Sequence, residues 1–257
     1  MARLRKAERR ERILAELRLT PHVRISELAD RFGVTSETVR RDVDALSVEG
    51  LVNRAYGGAS ASPMGTQPPF GERNRARIGE RARIGRLAAT LVQPGEVLMI
   101  DAGSTTTQLA HALSVNGSGL TVLTNSLPVA TGLGQHGSAD VILCPGDYVA
   151  NEAAVYGSET ETFLRRFNAN RAFIGAGGIT PDGVMDVNRA ASAVKRTMLG
   201  QAEKVYVLAD HSKFNQRLLS LVVALPAIDA LIVDEAPAGE LARALDEAGV
   251  AIHVAVD

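Results

Sequence analysis

Residues 25–43 read ISELADRFGVTSETVRRDV, and this stretch decides the fold of the N-terminal part. Ile25, Leu28, Ala29 and Phe32 recur at helical spacing, Ser26 is placed to cap the helix, and the run stops at Gly33, the residue that most readily takes a left-handed turn. After Val34, Thr35 stands as the N-cap of a second helix beginning at Ser36, with Val39, Val43 and Leu46 on one face and Gly50 marking its end. Two helices joined by a short turn containing Gly form a helix-turn-helix, whose second helix enters the major groove of DNA. The face opposite the apolar stripe carries Ser36, Glu37, Thr38, Arg40 and Arg41, side chains suited to base edges and phosphates. A small three-helix bundle serving dimerisation, with both arginines merely solvated, is the alternative.

Outward from this core, Ile13, Leu14 and Leu17 predict a helix over Lys6 to Leu19, ended by Pro21. On the other side Leu51, Val52, Arg54 and Tyr56 run into Gly57-Gly58, a strand and tight turn that read as a wing bringing Arg54 and Tyr56 to the DNA backbone. Charge supports a polyanion partner. Residues 1–90 hold 18 Lys and Arg against 11 Asp and Glu, net +7, whereas residues 91–257 hold 10 against 18, net -8.

The run from Ile25 to Thr35, followed by Thr38-Val39-Arg40-Arg41-Asp42-Val43 and closed by Gly50-Leu51-Val52-Asn53-Arg54-Ala55-Tyr56-Gly57-Gly58-Ala59, resembles the DNA-binding domain of the DeoR family. Thr35 stands where members usually have serine, and Tyr56 where they often have histidine. The DNA-contact set is therefore Thr35, Ser36, Thr38, Arg40, Arg41, Arg54 and Tyr56.

The expected organisation is a winged helix-turn-helix at 1–58 (helix-turn-helix about 22–41), a linker at 59–77 rich in Ser, Gly and Pro, and a larger domain at 78–257. The arginine-rich segment Glu72 to Arg86 reads as a helix leading into the second domain, with a solvated basic face preferred over arginines that meet DNA or acidic neighbours. From Val97 on, apolar strand-like runs (97–100, 120–123, 140–143, 172–174, 205–209, 231–233, 251–254) alternate with helical patterns (106–113, 158–167, 189–202, 239–248), which predicts a mainly parallel sheet covered on both faces. Ligands of such sheets sit beyond the carboxyl ends of the strands. There the sequence places Asp101-Ala102-Gly103-Ser104-Thr105-Thr106-Thr107 before a helix, Thr124-Asn125-Ser126, Gly175-Ala176-Gly177-Gly178 and Asp210-His211-Ser212-Lys213. Gly103 admits a close ligand, and a helix N-terminus favours an anion such as phosphate, although a Ser/Thr run there also serves as a plain cap.

These clusters, with Val194-Lys195-Arg196 and Phe214, make residues 78–256 similar to the DeoR-family sensor domain. The resemblance implies a Rossmann-like α/β fold of the ribose-5-phosphate isomerase and CoA-transferase type. It further implies a repressor of sugar or polyol catabolism released from DNA by a phosphorylated sugar. Asp101, Gly103, Ser104, Thr105, Thr106, Asn125, Gly175 and Lys213 become the effector-contact set. Pro145-Gly146 and Ala191 depart from the family pattern, which commonly has two glycines and often glutamate at these places. Where the isomerase fold carries carboxylates this chain has Gly177 and Thr180, so no enzyme activity is expected. An isomerase-like enzyme using Asp182, Asp186 or Asp210, with a DNA-binding appendage, is the alternative.

The remaining expectations are a double-stranded operator, a homo-oligomer (dimer or tetramer) matching repeated half-sites, and no cofactor or metal. The single cysteine, Cys144, has no partner for a disulfide, and neither a signal peptide nor a membrane helix is readable, which fits a cytoplasmic protein.

Overall fold

The computed structural model describes residues 5–19, 22–48, 52–55, 58–61, 67–116, 119–135 and 139–256. Two compact units, Met1–Pro68 and Pro69–Asp257, divide the chain.

In the first unit α1 (Lys6–Leu19), β1 (His22–Arg24), α2 (Ile25–Phe32) and α3 (Ser36–Val48) precede β2 (Val52–Ala55) and β3 (Gly58–Ala61). Ile13, Leu17, Leu28, Ala29, Val39, Val43, Leu46 and Val52 form its core. Gly33 takes φ 62° and gives its N–H to the last turn of α2, as a left-handed cap requires. Thr35 Oγ1 accepts from the Thr38 N–H at 3.2 Å and so caps α3. Ser26 is not the cap of α2. The helix starts at Ile25 directly from β1, with Arg24 at the cap position and no side-chain bond. The linker expected at 59–77 also needs correction, because β3 pairs antiparallel with both β1 and β2 in one three-stranded sheet. Its sequence, Gly-Ala-Ser-Ala, has no apolar alternation to announce a strand; register with its neighbours supplies what local pattern does not.

The second unit opens with two helices where one was expected, α4 (Phe70–Arg75) and α5 (Ile78–Thr90), broken at Arg77, which adopts a left-handed φ of 49°. There follow β4 (Val97–Ile100), α6 (Ser104–Asn116), β5 (Leu120–Thr124), α7 (Leu127–Gly134), β6 (Ala139–Leu143), β7 (Asp147–Val149) and β8 (Ala154–Tyr156). Next are α8 (Ser158–Leu164), β9 (Ala169–Gly175), β10 (Gly178–Thr180), β11 (Gly183–Asp186) and α9 (Arg189–Leu199). The chain closes with β12 (Ala202–Ala209), β13 (Ser220–Val223), β14 (Ala230–Val233), α10 (Gly239–Glu247) and β15 (Ala251–Val254).

The seven strands read from the sequence form one seven-stranded sheet in the order β15-β14-β12-β9-β4-β5-β6, every neighbouring pair parallel. Period-two alternation assigns its faces: Leu98 and Ile100 pack with Ile84, Leu109 and Leu133 of α5, α6 and α7, while Met99 packs with Leu164, Val194 and Met198 of α8 and α9. Helices α5 and α6 meet backbone to backbone at Gly85, where a Cβ would lie 2.5 Å from the Gln108 carbonyl carbon. The antiparallel sheet β10-β11-β13 and the hairpin β7-β8 were not expected. Strand order reverses between β4 and β9, which leaves a crevice at their carboxyl ends.

Candidate functional site

On the first unit, α3 turns Val39, Val43 and Leu46 inward, while Ser36, Arg40 and Arg41 are exposed and Thr38 is half-buried. Glu37 holds both arginines in the free protein, Arg41 Nε at 3.1 Å and Arg40 Nη1 at 3.4 Å. These are exposed pairs worth at most about 1 kcal/mol, easily given up for a phosphate or a guanine edge. Thr35 is engaged as the cap, its hydroxyl also 2.9 Å from that of Thr38. Arg54 lies in β2, on the wing, and Tyr56 lies outside the described residues. The Asp42 that follows the two arginines points the other way. It is buried and paired with Arg9 Nε at 2.5 Å and Arg10 Nε at 3.4 Å, clamping α3 to α1.

On the second unit, Asp101 stands at the reversal point. Its Oδ1 accepts the Gly175 N–H at 3.0 Å, bridging the ends of β4 and β9, and its Oδ2 pairs with Lys195 Nζ from α9. Thr106 Oγ1 donates to the Asp101 carbonyl at 2.9 Å and to the Gly103 carbonyl at 3.0 Å, so this hydroxyl closes the loop from within. Thr107 makes the same bond to Gly103 at 2.7 Å. Ser104 and Thr105, nearly buried, occupy the first turn of α6. The backbone of Asn125 and its Nδ2 both bond Val155 of β8, yet its buried Oδ1 has no hydrogen-bond partner. An orphaned buried acceptor of this kind costs roughly 1–3 kcal/mol and marks a place for a donor.

Asp210 follows β12 and is wholly buried, held by Arg81 Nε at 2.9 Å and by the Ser212 hydroxyl. Burial alone would raise its carboxyl, but Lys213, Arg81 and Ser212 outweigh it and hold it down at about 2. Burial draws the Lys213 ammonium below the ordinary lysine range, against the pull of Asp210. His211 donates Nδ1–H to Asp234 at 2.6 Å and accepts from Arg77 at 3.0 Å on Nε2. Its ligand atom lies within 4.8 Å of those of Asp234 and Glu235, but with both ring nitrogens engaged the trio is an orienting pair rather than a metal centre.

Sequence reasoning gave no site role to Arg73, Arg81 or Glu152, quoted Lys195 only within Val194-Lys195-Arg196, and named Asp186 only as a carboxylate of the enzyme alternative. Lys195 sits among buried Ala191, Val194 and Met198 on the inner face of α9, and Asp186 Oδ2 lies 3.7 Å from its Nζ. The available signal was a lysine within an apolar helical stripe. Burial pulls Lys195 down to about 7, helped by Arg73, and pushes Asp186 up to about 6. Arg73 and Arg81, read as part of a solvated face, are also inward. Arg73 forms a two-pronged pair with Glu152, 2.7 and 3.2 Å, and Arg81 is buried on Asp210.

Residues 9–63 match the DeoR-like helix-turn-helix domain and residues 76–235 the DeoR C terminal sensor domain. The glycerol-3-phosphate regulon repressor of Escherichia coli (strain K12) is 28% identical, with 91% of this chain and 93% of that protein covered. The lactose phosphotransferase system repressor of Lactococcus lactis subsp. lactis is 29% identical over 90% of this chain and 92% of its own. Among solved structures, ribose 5-phosphate isomerase A from Neisseria gonorrhoeae is 19% identical, covering 54% of each chain, with a TM-score of 0.41. No helix among the described residues is long and apolar enough to cross a membrane.

Proposed function

Because this chain belongs to the DeoR family of helix-turn-helix regulators, with both of that family's domains in order, we propose that it represses a sugar or polyol catabolic operon and is released from its operator by a phosphorylated sugar. The observation that carries the DNA half is α3, capped by Thr35 and held by Asp42 so that Ser36, Thr38, Arg40 and Arg41 face outward. Arg54 and Tyr56 of the wing complete the contact set. Named relatives that repress glycerol-3-phosphate and lactose phosphotransferase genes support the choice of carbohydrate metabolism. We assign two or four copies of the chain to paired half-sites, since symmetric operators match symmetric oligomers.

Arg41→Ala should weaken operator binding by about 1–3 kcal/mol, or roughly 5- to 150-fold. Fluorescence anisotropy with the DNA upstream of the neighbouring genes reads this directly. Affinity equal to wild type removes Arg41 from the recognition set.

For the effector half, Asp101, Gly103, Ser104, Thr105, Thr106, Asn125, Gly175 and Lys213 form the binding set, with the N-terminus of α6 facing the phosphate. A ligand that binds only the folded state adds about 2.7 kcal/mol of stability at 100 times its Kd. A thermal-shift panel of phosphorylated sugars and polyols, run beside the unphosphorylated compounds, should therefore contain a phosphorylated member that raises Tm. Lys213→Ala should lose that response, and a variant that keeps it takes Lys213 out of the set.

One observation favours the enzyme alternative: Asp186, held near 6 beside Lys195, is a buried carboxylate titrating in the range a general base needs. Against it, Asp182 is paired with Arg217 at 2.8 Å and Asp210 with Arg81, and Asp186 itself faces an ammonium. Product analysis after incubation with ribose 5-phosphate decides between the two, since turnover overturns the regulator-only reading.

A further inference from the structure

Most of the residues set aside for the effector are closed to it. Asp101, Ser104, Thr105, Thr106, Asn125 and Gly175 are buried, and only Gly103 and Lys213 are half-exposed at the edge of the site. The element lying against that rim is α4, which packs on α6, whose first turn holds Ser104–Thr107, and on the 3-10 turn Ala150–Glu152. That turn leads into β8, whose Val155 is the backbone partner of Asn125. So α4 bridges α6, the helix that follows the Asp101–Gly103 loop, and the wall beside Asn125.

Two sets of charged contacts hold it there. The Arg73 fork grips both oxygens of Glu152, with about a tenth of each side chain exposed (11% and 14%). At the other end Arg81 donates to the Arg73 and Ala76 carbonyls, which closes the last turn of α4, and its Nε bonds Asp210 in the Lys213 loop. Between them Arg77 holds a left-handed backbone, unusual for a residue with a Cβ, and reaches His211 in the same loop. The joint between α4 and α5 is therefore bolted to one effector loop, and α4 itself is tied down at Glu152. The charge of Arg73 is felt at Lys195, Lys213 and Asp186, so it stands close to both halves of the site. A guanidinium that holds a carboxylate through two parallel bonds offers the same geometry to a phosphate.

We propose that α4 is a strap over the effector site, and that the anionic group of the effector draws Arg73 off Glu152 and releases it. The proposal rests on the phosphosugar reading given above. It makes Arg73 a binding residue of the site and Glu152 its internal competitor. It also gives the effector a route to the head, because α4 directly follows the boundary at Pro68–Pro69. An anion that changes the partner of one arginine thereby changes the first element after the DNA-binding unit.

The test uses full-length protein with hydrogen-deuterium exchange of residues 70–76 and a panel of glycerol 3-phosphate, ribose 5-phosphate and glucose 6-phosphate beside glycerol, ribose and glucose. Glu152→Gln, which keeps the shape and removes the charge, should speed exchange at 70–76 about tenfold without any additive, the change expected if a local opening becomes easier by ~1.4 kcal/mol. The phosphorylated compound that raises the Tm of the wild type should produce the same faster exchange there. It should also bind Glu152→Gln more tightly and Arg73→Lys more weakly than the wild type. Stabilisation by a phosphorylated compound with unchanged exchange at 70–76 sinks the strap and leaves the phosphosugar reading standing. No stabilisation of either the wild type or Glu152→Gln by any phosphorylated member sinks the phosphosugar reading, and the exchange of partners with it.

Discussion

Lys195→Met is expected to cost the C-terminal unit about 3–5 kcal/mol below pH 7, where Lys195 still carries its charge, because it leaves two carboxylates buried without their cation. Asp101 and Asp186 both face Lys195 Nζ, and Asp101 in addition holds the Gly175 N–H that joins β4 to β9. Methionine fills most of the volume, so the loss measures charge rather than a cavity. For a unit of this size the melting temperature should drop by roughly 10 °C. The pH dependence separates this from a packing defect. Burial holds Lys195 at about 7 in the folded protein against an ordinary 10.5. Between those values the unfolded chain binds the extra proton, so wild-type stability should rise as pH climbs through this window. Asp186, raised from 3.8 to about 6, acts oppositely: the unfolded chain loses its proton first, and stability falls as pH rises between them. Chemical denaturation at pH 7 and pH 9 should show the rise in the wild type and none in Lys195→Met. Equal stabilities of variant and wild type at pH 6, where the ammonium is still charged, would mean that it is not the counter-charge of this site.

Asp42→Ala should abolish operator binding by unfolding the reader rather than by removing a contact. Asp42 is 2% exposed and receives Arg9 from α1, itself 8% exposed. Removing the carboxylate breaks its buried ion pair with Arg9, at a cost of about 3–5 kcal/mol. A unit of this length has only ~3–9 kcal/mol in total at typical stability per residue. Circular dichroism should show loss of the α1–α3 contribution, while the melt of the C-terminal unit stays in place. Asp42→Asn, which can still accept from Arg9, should recover part of the binding. An Asp42→Ala protein that binds operator within twofold of the wild type would show the clamp to be dispensable.

The large sheet was readable because buried parallel strands are short, nearly unbroken apolar runs, such as Val97–Ile100 and Leu231–Val233, separated by Gly, Ser, Asp and Asn at their ends. The same loops made Asp101, Asn125, Gly175 and Lys213 conspicuous. The small antiparallel sheet escaped although it carried a signal: Pro181-Asp182-Gly183 is a turn sequence, and Gly178-Ile179-Thr180 and Val184-Met185-Asp186 flank it. Strands of three or four residues give too little alternation to read. β7, exposed along its length, gives none. Lys195 and Arg73 were hidden for another reason. The apolar helical stripe around Lys195 marks it as inward without naming its partner, Asp101, 94 residues earlier, and the short α4 gives Arg73 no such stripe at all.

One feature of the sheet bears on how the protein is made. Its parallel order gathers on a single rim residues scattered from Asp101 to Lys213, whereas the strands and helices of the reader all lie within residues 6–61. Translation runs in that direction. The ribosome delivers every element that reads DNA before it has delivered even the first strand of the sensor, and the rim is complete only once the last third of the chain has emerged. A chain that ends early therefore contains the helix-turn-helix unit without a complete sensor domain.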